Sequence, residues 1–236
     1  MINKKIILSI ILPAYREDEN LLNILPRIID TTKNLKLATE IIVVDTETPL
    51  DKTYSVCKKF SVKCISRQGG NYFGSAVRTG ISAANGKFIL FMDADGSHTP
   101  EFIPDLIKYS DVYDVVVASR YIDNGHTENS FLLIYMSKIL NWTYSYVLNI
   151  PCKDVSNSFK LYRAIDIKKL KLECNNFDIV EEILYKLCIK NPDIKIKEVA
   201  FTFKKRMFGE TKRNLIFFMA TYLWTIFKLK FSDFNK

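Results

Sequence analysis

The 236 residues suffice for one domain that buries a sizeable core without disulfides or a structural metal. A composition of 48% hydrophobic and 25% charged residues excludes disorder and a collagen-like fibre. The five cysteines include no C-x-x-C pair, which disfavours a zinc site built on cysteine pairs, and the only two histidines are not spaced for an H-E-x-x-H metalloenzyme.

The net charge of +8 is concentrated at the C-terminal end of the chain. Between Lys204 and Lys236 there are eight basic residues and two acidic ones, whereas the rest of the sequence is nearly neutral. A protein that wraps nucleic acid would be basic over a broad surface, so no nucleic-acid partner is predicted. We expect one basic end that meets a phosphate group or an anionic lipid surface.

The N-terminal sequence has some features of a signal peptide, since Lys4 and Lys5 precede the apolar run IILSIIL. The run is short, it ends at Pro13 without a small-residue cleavage site, and the charged residues REDEN follow. A β-branched run of this length that ends at a proline is more typical of a buried first strand. With no secretion signal and an odd number of cysteines, we predict reduced thiols and a cytoplasmic location.

Apolar, β-rich segments alternate with helix-period segments along the first half of the chain. The predicted strands are Ile6–Leu12, Glu40–Asp45, Lys63–Ser66, Phe88–Met92, Asp114–Ala118, Ser158–Tyr162 and Ile196–Phe203. The predicted helices between the early strands are Asn20–Lys36, Thr53–Phe60, Ser75–Asn85 and Pro100–Lys108. This pattern indicates a Rossmann-like α/β fold, with a mostly parallel sheet covered by helices on both faces and ligands at the carboxyl ends of the strands.

The segment FILFMDADGSH carries the strongest chemical signal, because a buried strand runs directly into Asp93 and Asp95. Two carboxylates at such a place favour a hard divalent cation. A solvated turn is the alternative, since D-x-D-G sequences are common in turns. An EF-hand is excluded because Pro104 stands where a bidentate glutamate is required.

Two more acidic residues follow predicted strands, Glu17 after P-A-Y-R and Asp45 at the end of EIIVVD. Such carboxylates can accept hydrogen bonds from a ribose hydroxyl or a base edge, although Glu17 alone could be an exposed charge before a helix. Arg120 and the basic segment KKRMFGETKR are candidates for phosphate binding, with a solvated basic loop as the alternative. Neither G-x-G-x-x-G nor a P-loop is present, which disfavours NAD binding and P-loop hydrolysis.

The uncharged segment LIFFMATYLWTIF, residues 215–227, is flanked by lysine and arginine on both sides. It is shorter than the ~20 residues that span a bilayer. We predict a helix at a membrane surface, with a core helix or a partner interface as alternatives. The predicted organisation is a catalytic domain of residues 1–213 followed by this helical element, residues 214–236.

In this order the segments resemble family-2 glycosyltransferases of the GT-A fold, and among them the dolichyl-phosphate (polyprenyl-phosphate) mannosyltransferases of the soluble catalytic-subunit type. The resemblance covers about residues 6–213 and is carried by ILPAYREDENL, EIIVVDTETPLDKT, FILFMDADGSHTPEFIPDLI, YDVVVASRYIDNG, DVSNSFKLYR, IKEVAFTF and RMFGETK. The chain departs from the family pattern at Thr46, where an aspartate is usual, at Asn71, where a basic residue is common, and at Asn157, where the family has glycine.

The resemblance implies an inverting, metal-dependent transfer of a mannose-like hexose from a nucleotide-diphosphate sugar to a polyprenyl phosphate. It implies nucleotide-sugar binding by Pro13, Tyr15, Glu17, Val43, Asp45, Asp93 and Ala94, and binding of Mg²⁺ or Mn²⁺ by Asp93, Asp95 and Ser97. It implies catalytic roles for Asp95, Arg120, Arg206 and Lys212, and acceptor-phosphate binding by Lys138, Arg206 and Lys212. It also implies a peripheral position on the cytoplasmic face of an anionic membrane, with room for a small membrane-anchoring subunit.

The kind of acceptor decides whether a general base is needed. A lipid phosphate is already an oxyanion, so the protein would supply positive charge and no base. Transfer to a sugar hydroxyl in surface-polysaccharide assembly is the alternative, and its base would be Glu181 or Glu182, unless these belong only to the first turn of a helix capped by Asp178. A non-catalytic subunit of the same fold is the third reading, and the intact Asp93 and Asp95 weigh against it.

Overall fold

The computed structural model describes residues 5–208 and 215–231. The strands within these ranges are β1 (Leu8–Pro13), β2 (Thr39–Asp45), β3 (Lys63–Ser66), β4 (Phe88–Phe91), β5 (Val115–Ser119), β6 (His126–Thr127), β7 (Lys160–Arg163), β8 (Ile196–Ala200) and β9 (Thr202–Phe203). The helices are α1 (Asp18–Asn34), α2 (Thr53–Lys59), α3 (Phe73–Ala83), α4 (Ile103–Ile107), α5 (Phe131–Val147), α6 (Ala164–Ile167), α7 (Ile179–Lys190) and α8 (Leu215–Phe231).

The central sheet has seven strands in the order β3-β2-β1-β4-β7-β5-β8. All neighbours are parallel except β7, which runs antiparallel to both β4 and β5. The prediction of a mostly parallel α/β sheet is therefore confirmed. Because β1, β2, β4 and β5 are parallel, their carboxyl ends meet at one edge of the sheet, where bound ligands are expected.

The last predicted strand, Ile196–Phe203, is wrong as a single element. β8 pairs with β5 as far as Ala200, and β9 pairs with β6 in a separate two-stranded sheet. Phe201 lies between them, where its N–H donates to the Ser119 carbonyl and its own carbonyl accepts from His126. The chain thus passes from one sheet to the other at a buried aromatic residue.

The core consists of two apolar clusters, one on each face of the sheet. Successive side chains along a strand point to opposite faces of the sheet. Ile11 and Phe91 therefore belong to one cluster, and Ile10 and Leu90 belong to the other. Helices α3, α5, α7 and α8 cover the first face, and α1, α2 and α4 cover the second. The strand ends that carry the candidate site therefore project from a sheet packed on both sides.

Between Tyr222 and Phe231, helix α8 packs against the first face of the sheet with one of its sides. Tyr222, Thr225, Ile226 and Leu229 are buried, and the Tyr222 carbonyl accepts a hydrogen bond from the Tyr144 hydroxyl at 3.0 Å. The alternative of a core helix therefore holds for this side of α8. The predicted domain boundary at residues 213 and 214 lies outside the described residues.

Among the described residues, no helix has both the length and the apolar character needed to cross a membrane. Asp178 is the N-cap residue of α7, as expected, but its carboxylate makes no capping bond to the helix. Instead it accepts a hydrogen bond from the Thr225 hydroxyl at 2.6 Å and so connects α7 to α8.

Candidate active site

Asp93 and Asp95 lie just beyond the carboxyl end of β4, and each side chain is about a fifth exposed, at 23% and 22%. Asp93 Oδ1 accepts a hydrogen bond from the Ser158 hydroxyl at 2.8 Å. Asp95 Oδ1 accepts from the Ser97 N–H at 3.0 Å and from the Ser97 hydroxyl at 2.6 Å. These bonds fix both carboxylates through Oδ1, while Oδ2 of Asp93 lies 3.8 Å from His98 Nε2 and Oδ2 of Asp95 lies 3.6 Å from Arg206 Nη1.

The donor chemistry at this edge fits Mg²⁺ or Mn²⁺. Mg²⁺ is usually held by one or two carboxylates together with substrate phosphates and water. Within residues 5–208 and 215–231, no cluster of three or more His, Cys, Asp or Glu side chains is arranged to hold an ion. An ion bound by Asp93 and Asp95 would need further ligands, such as substrate phosphates or water. Ser97, the third predicted ligand, is buried and donates to Asp95, so its contact with an ion stays a prediction.

Arg206 joins two parts of the candidate site that are far apart in the sequence. Its Nη2 donates to Glu17 Oε1 at 2.5 Å, and its Nη1 lies 3.6 Å from Asp95 Oδ2. Burial raises the pKa of Glu17, although the Arg206 guanidinium acts in the opposite direction. The structure thus brings Glu17, Asp95 and Arg206 together, with the cation between two carboxylates.

The segment after β9 lies directly on the Asp95 loop. The Met207 N–H donates to the Asp95 carbonyl at 3.0 Å. Gly96 permits this approach, since its φ is +82° and a Cβ at that position would lie 2.4 Å from Met207 Sδ. Asn20 of α1 fixes the end of the segment by exchanging hydrogen bonds of 3.1 and 3.3 Å with the backbone of Phe208.

Asp45 ends β2 and is 4% exposed, and burial raises the pKa of its carboxyl. Next to it lies Arg67, which was not among the predicted residues. The Arg67 guanidinium is buried and donates to four backbone carbonyls, those of Asp45 at 3.1 Å, Asn71 at 3.4 Å, Tyr72 at 3.2 Å and Ala14. It therefore ties together the loops that follow β1 and β2 and the one that precedes α3. The only signal in the sequence is that Arg67 directly follows a strand.

Two departures from the family pattern lie in these same loops. The Glu47 N–H donates to Asn71 Oδ1 at 2.9 Å, and the Thr46 hydroxyl donates to the Thr48 carbonyl at 2.7 Å. Asn71 thus joins the loop after β2 to the loop before α3. Both departures are accommodated by hydrogen bonds within the loops themselves.

The other residues predicted to bind the nucleotide sugar differ in their access to solvent. Tyr15 is 43% exposed, and Pro13 lines a narrow crevice together with Asp93. Val43 and Ala94 are buried in the apolar cluster of the second face. Any contact of these two residues with a nucleotide would have to come from the backbone.

Arg120, predicted to bind phosphate, is already paired. Its Nε and Nη2 donate to the carboxylate of Asp154 at 2.8 and 2.6 Å, and its backbone N–H donates to the same carboxylate at 2.7 Å. Asp154 is fully buried, and burial would raise its pKa, but the Arg120 charge prevails and the pKa is lowered. A phosphate would have to compete with Asp154 for these donors.

Of the two lysines predicted to bind the acceptor phosphate, the structure describes one. Lys138 is exposed on α5, and its Nζ lies 5.9 Å from the ring centroid of Tyr121, the residue after Arg120. It therefore lies near the carboxyl end of β5, at the edge of the candidate site. Lys212 lies outside the described residues.

His98 and Asn157 form a buried network beneath Asp93. The Asp93 N–H donates to His98 Nδ1 at 2.9 Å, so the imidazole proton is on Nε2, which lies 3.1 Å from Asn157 Oδ1. The Asn157 amide donates in turn to the Ala118 carbonyl at 2.6 Å. Burial lowers the pKa of His98, which is stacked on Phe159, so the ring is neutral. Asn157, noted from the sequence only as a departure from glycine, therefore links the Asp93 loop to β5.

The candidate bases of α7 are both fully buried. Glu182 accepts hydrogen bonds from the backbone of Glu173 and Cys174 and forms an ion pair of 2.7 Å with Lys186. Glu181 has no hydrogen-bond partner among the described residues for either carboxylate oxygen, and burial raises its pKa to about 8. Neither carboxylate reaches solvent, where a sugar hydroxyl would arrive.

The sheet order and the acidic strand ends define an α/β domain of the GT-A type. A family model described as glycosyl transferase family 2 matches residues 9–171, and the chain belongs to that family.

The chain is also similar to characterised proteins. It is 35% identical over 211 residues to the dolichol-phosphate mannosyltransferase of Pyrococcus furiosus, a match that covers 86% of this chain and 58% of that relative. It is 27% identical over 223 residues to the polyprenol monophosphomannose synthase of Mycolicibacterium smegmatis, covering 87% and 80%. The recognised resemblance is confirmed by these matches, although the chain spans less than two thirds of the Pyrococcus relative.

A solved structure has the same fold. Glucosyl-3-phosphoglycerate synthase from Mycobacterium tuberculosis, in complex with Mn²⁺ and UDP-glucose, superimposes with a TM-score of 0.69 at 16% identity, covering 93% of this chain and 76% of that one. At this identity the likeness concerns the fold.

Proposed function

We propose that the protein is an inverting glycosyltransferase that moves a mannose-like hexose from a nucleotide-diphosphate sugar to a polyprenyl phosphate. The observation that carries the proposal is the junction of Glu17, Asp95 and Arg206 at the carboxyl edge of the sheet. This junction places acidic groups, which can bind a metal ion and a ribose, beside a cation that can bind phosphate. The names of the archaeal and mycobacterial relatives support the same donor and acceptor classes.

Asp93 and Asp95, with Ser97 beside them, would hold Mg²⁺ or Mn²⁺. When bound, the ion supplies positive charge to the leaving nucleotide diphosphate. The Mn²⁺ and UDP-glucose complex of a protein with the same fold supports a divalent ion at this edge. Glu17 and Asp45, both buried beside the strand ends, are proposed to orient the nucleoside portion of the donor, with Tyr15 and Pro13 along the same edge.

The acceptor is proposed to be held by cations. Arg206 can exchange its carboxylate partners for phosphate oxygens, because a guanidinium binds both in the same bidentate manner. Lys138 and Lys212 are proposed to hold the acceptor phosphate with it. Arg120 is proposed to act through its pairing with Asp154, which shapes the wall beside Tyr121 and Lys138.

The burial of both candidate bases in α7 favours a phosphate acceptor over a sugar hydroxyl. The attacking phosphate oxygen already carries a negative charge, so no proton has to be removed. A hydroxyl would need a base, and Glu181 and Glu182 are fully buried. We also propose a lipid substrate, which the names of the relatives support, and a peripheral position on the cytoplasmic face of an anionic membrane. A small membrane-anchoring subunit is a further proposed partner.

The test uses the whole chain with labelled nucleotide sugars, a polyprenyl phosphate and either Mg²⁺ or EDTA. We expect label to enter the lipid phase only with the metal, and we expect NMR of the product to show an anomeric configuration opposite to that of the donor. The Arg206→Ala variant should lose transfer, while Arg27→Ala, which removes an exposed cation paired with Glu101 and not assigned to the site, should keep it. Label that enters only soluble sugars would refute the phosphate acceptor.

A further inference from the structure

Lys160, the first residue of β7, is fully buried within the central sheet. Its neighbours in the sheet are Phe91, the last residue of β4, and Val117 of β5, so it lies close to the edge that carries Asp93. Burial lowers the pKa of Lys160, because the interior disfavours an ammonium group. An apolar side chain would avoid the cost of burying this group, whereas an ammonium can donate several hydrogen bonds.

The Lys160 ammonium holds the loop that leads into β7. Its Nζ donates to the Val155 carbonyl at 2.9 Å and to the Asn157 carbonyl. Both residues are buried, and buried backbone carbonyls need a partner. We call residues 153–158 the β7 loop, and they belong to neither a helix nor a strand. One buried cation therefore fixes two carbonyls that no regular secondary structure holds.

The β7 loop carries side chains that contact the candidate site. The Ser158 hydroxyl donates to Asp93 Oδ1 at 2.8 Å. The Asp154 carboxylate accepts from the Arg120 guanidinium at 2.8 and 2.6 Å, and the Ser156 hydroxyl oxygen accepts from Arg120 Nη2 at 3.0 Å. Alternate side chains of the loop therefore reach the candidate site.

The backbone carbonyls that bind Lys160 alternate with these side chains. They belong to Val155 and Asn157, the two residues that lie between the three named above. Without the ammonium, two buried carbonyls would lose this donor, and the loop would have to shift to find another partner. Such a shift would take the Ser158 hydroxyl away from Asp93 Oδ1.

A second residue anchors the beginning of the same loop. Glu198 of β8 accepts hydrogen bonds from the N–H groups of Lys153 at 2.8 Å and Asp154 at 3.0 Å. Glu198 thus holds the beginning of the β7 loop, and Lys160 holds the half that reaches Asp93.

We propose that Lys160 is a positioning residue of the candidate active site. Through two backbone carbonyls it fixes the β7 loop. The loop in turn orients the Asp93 carboxylate for a divalent ion and keeps Arg120 paired with Asp154. Groups that orient the ligands of a metal ion typically contribute about 10–100-fold to its affinity. The inference deepens the proposed function, on which it rests for the presence of the ion.

The test measures binding of Mn²⁺ without any transfer. The unmodified protein and its variants are titrated with Mn²⁺, alone and with GDP or UDP, and the free ion is followed by electron paramagnetic resonance. We expect Ser158→Ala and Lys160→Met each to raise the Mn²⁺ concentration at half-saturation by about tenfold or more. Lys160→Gln keeps an amide donor on a side chain one atom shorter. If Lys160→Met does not fold, Lys160→Gln should shift the binding in the same direction.

The matched control is Lys186→Met. Lys186 of α7 is 7% exposed and donates to the Lys171 carbonyl at 2.5 Å and to Glu182 at 2.7 Å. It is therefore also a buried lysine that holds a backbone carbonyl. Both lysine-to-methionine variants should unfold at a lower urea concentration than the unmodified protein, but the control should bind Mn²⁺ as the unmodified protein does. The comparison separates a loss of stability from a loss of position.

Three results would overturn the proposal. The first is Mn²⁺ binding by the Lys160 variants that equals that of the unmodified protein. The second is Lys186→Met binding Mn²⁺ as weakly as Lys160→Met, since any loss of stability would then suffice. The third is an unmodified protein that binds no Mn²⁺, which would overturn the proposed metal as well. A protein whose Mn²⁺ binding depends on Lys160 but that transfers no sugar would refute the proposed transfer and support the positioning role.

Discussion

The pairing of Arg120 with Asp154 predicts a large and specific loss of stability. Asp154→Asn removes the negative charge but keeps the shape of the side chain. Asp154 is fully buried and the side chain of Arg120 is 9% exposed, so the guanidinium would be left in the interior without a counterion. Breaking a buried pair in this way costs about 3–5 kcal/mol. For a domain of this length the melting temperature should fall by about 6–20 °C.

The chain contains a matched pair at its surface. Arg27 and Glu101 form a similar bidentate contact of 2.8 and 2.6 Å, but their side chains are 37% and 52% exposed. Glu101→Gln should therefore cost no more than about 1 kcal/mol. Urea unfolding followed by circular dichroism measures both variants, with equal slopes showing that only stability has changed.

The double variant Arg120→Met with Asp154→Leu tests the cause of the loss. It removes both charges, so it should be more stable than Asp154→Asn alone. If Asp154→Asn loses no more stability than Glu101→Gln, the reasoning is refuted. Arg120 would then be available to a phosphate, as the resemblance implies.

Three further predictions concern Asp95, Asn157 and Glu181. Asp95→Asn should lower transfer by about a thousandfold or more without unfolding the protein, because a proposed ligand of the metal would be lost. Asn157→Leu should cost about 1–3 kcal/mol for each buried group left without a partner, His98 Nε2–H and the Ala118 carbonyl, in urea unfolding. Burial raises the pKa of Glu181 from 4.5 to about 8. Between these two pH values the folded state binds a proton that the unfolded state releases. The free energy of unfolding should therefore fall by about 1.4 kcal/mol for each unit by which the pH rises. Glu181→Gln should abolish this slope.

Each of these predictions has its own contrary result. Full transfer by Asp95→Asn, or by the unmodified protein in EDTA, would rule out the metal. Glycine is usual at position 157 in the family. Asn157→Gly leaves room for water, so it should cost less stability than Asn157→Leu. Equal losses of stability would argue against the network. A pH slope that persists in Glu181→Gln would mean that another group releases the proton.

The parallel half of the sheet could be predicted from the sequence because its strands are short apolar runs bounded by turn residues. β3 has the predicted bounds, and β4 begins at the predicted residue, Phe88. Helix α5 was not predicted, because it is apolar on both its buried and its exposed side and therefore lacks the expected periodicity. The antiparallel direction of β7 depends on contacts with β4 and β5, which local sequence does not encode.

The acidic part of the site could be predicted for a similar reason. Asp45 is the last residue of β2, Asp93 and Asp95 come shortly after β4, and parallel strands end at a common edge. Arg67 and Asn157 could not be found in this way, because their partners are backbone carbonyls of residues distant in the sequence. Their roles depend on which loops become neighbours, and that is decided by the fold.

The short connection between the candidate site and α8 limits how far apart the two can lie, which bears on the proposed position at a membrane. Phe208 is held by Asn20 at the site, and α8 begins at Leu215. Seven peptide links span at most about 25 Å, so this part of the chain is a tether of fixed maximum length. With α8 lying on a bilayer, the reacting centre would stay within that height of the lipid surface. A soluble donor would then diffuse in from the water, while the acceptor would only have to raise its phosphate, and its hydrocarbon tail could remain among the lipids.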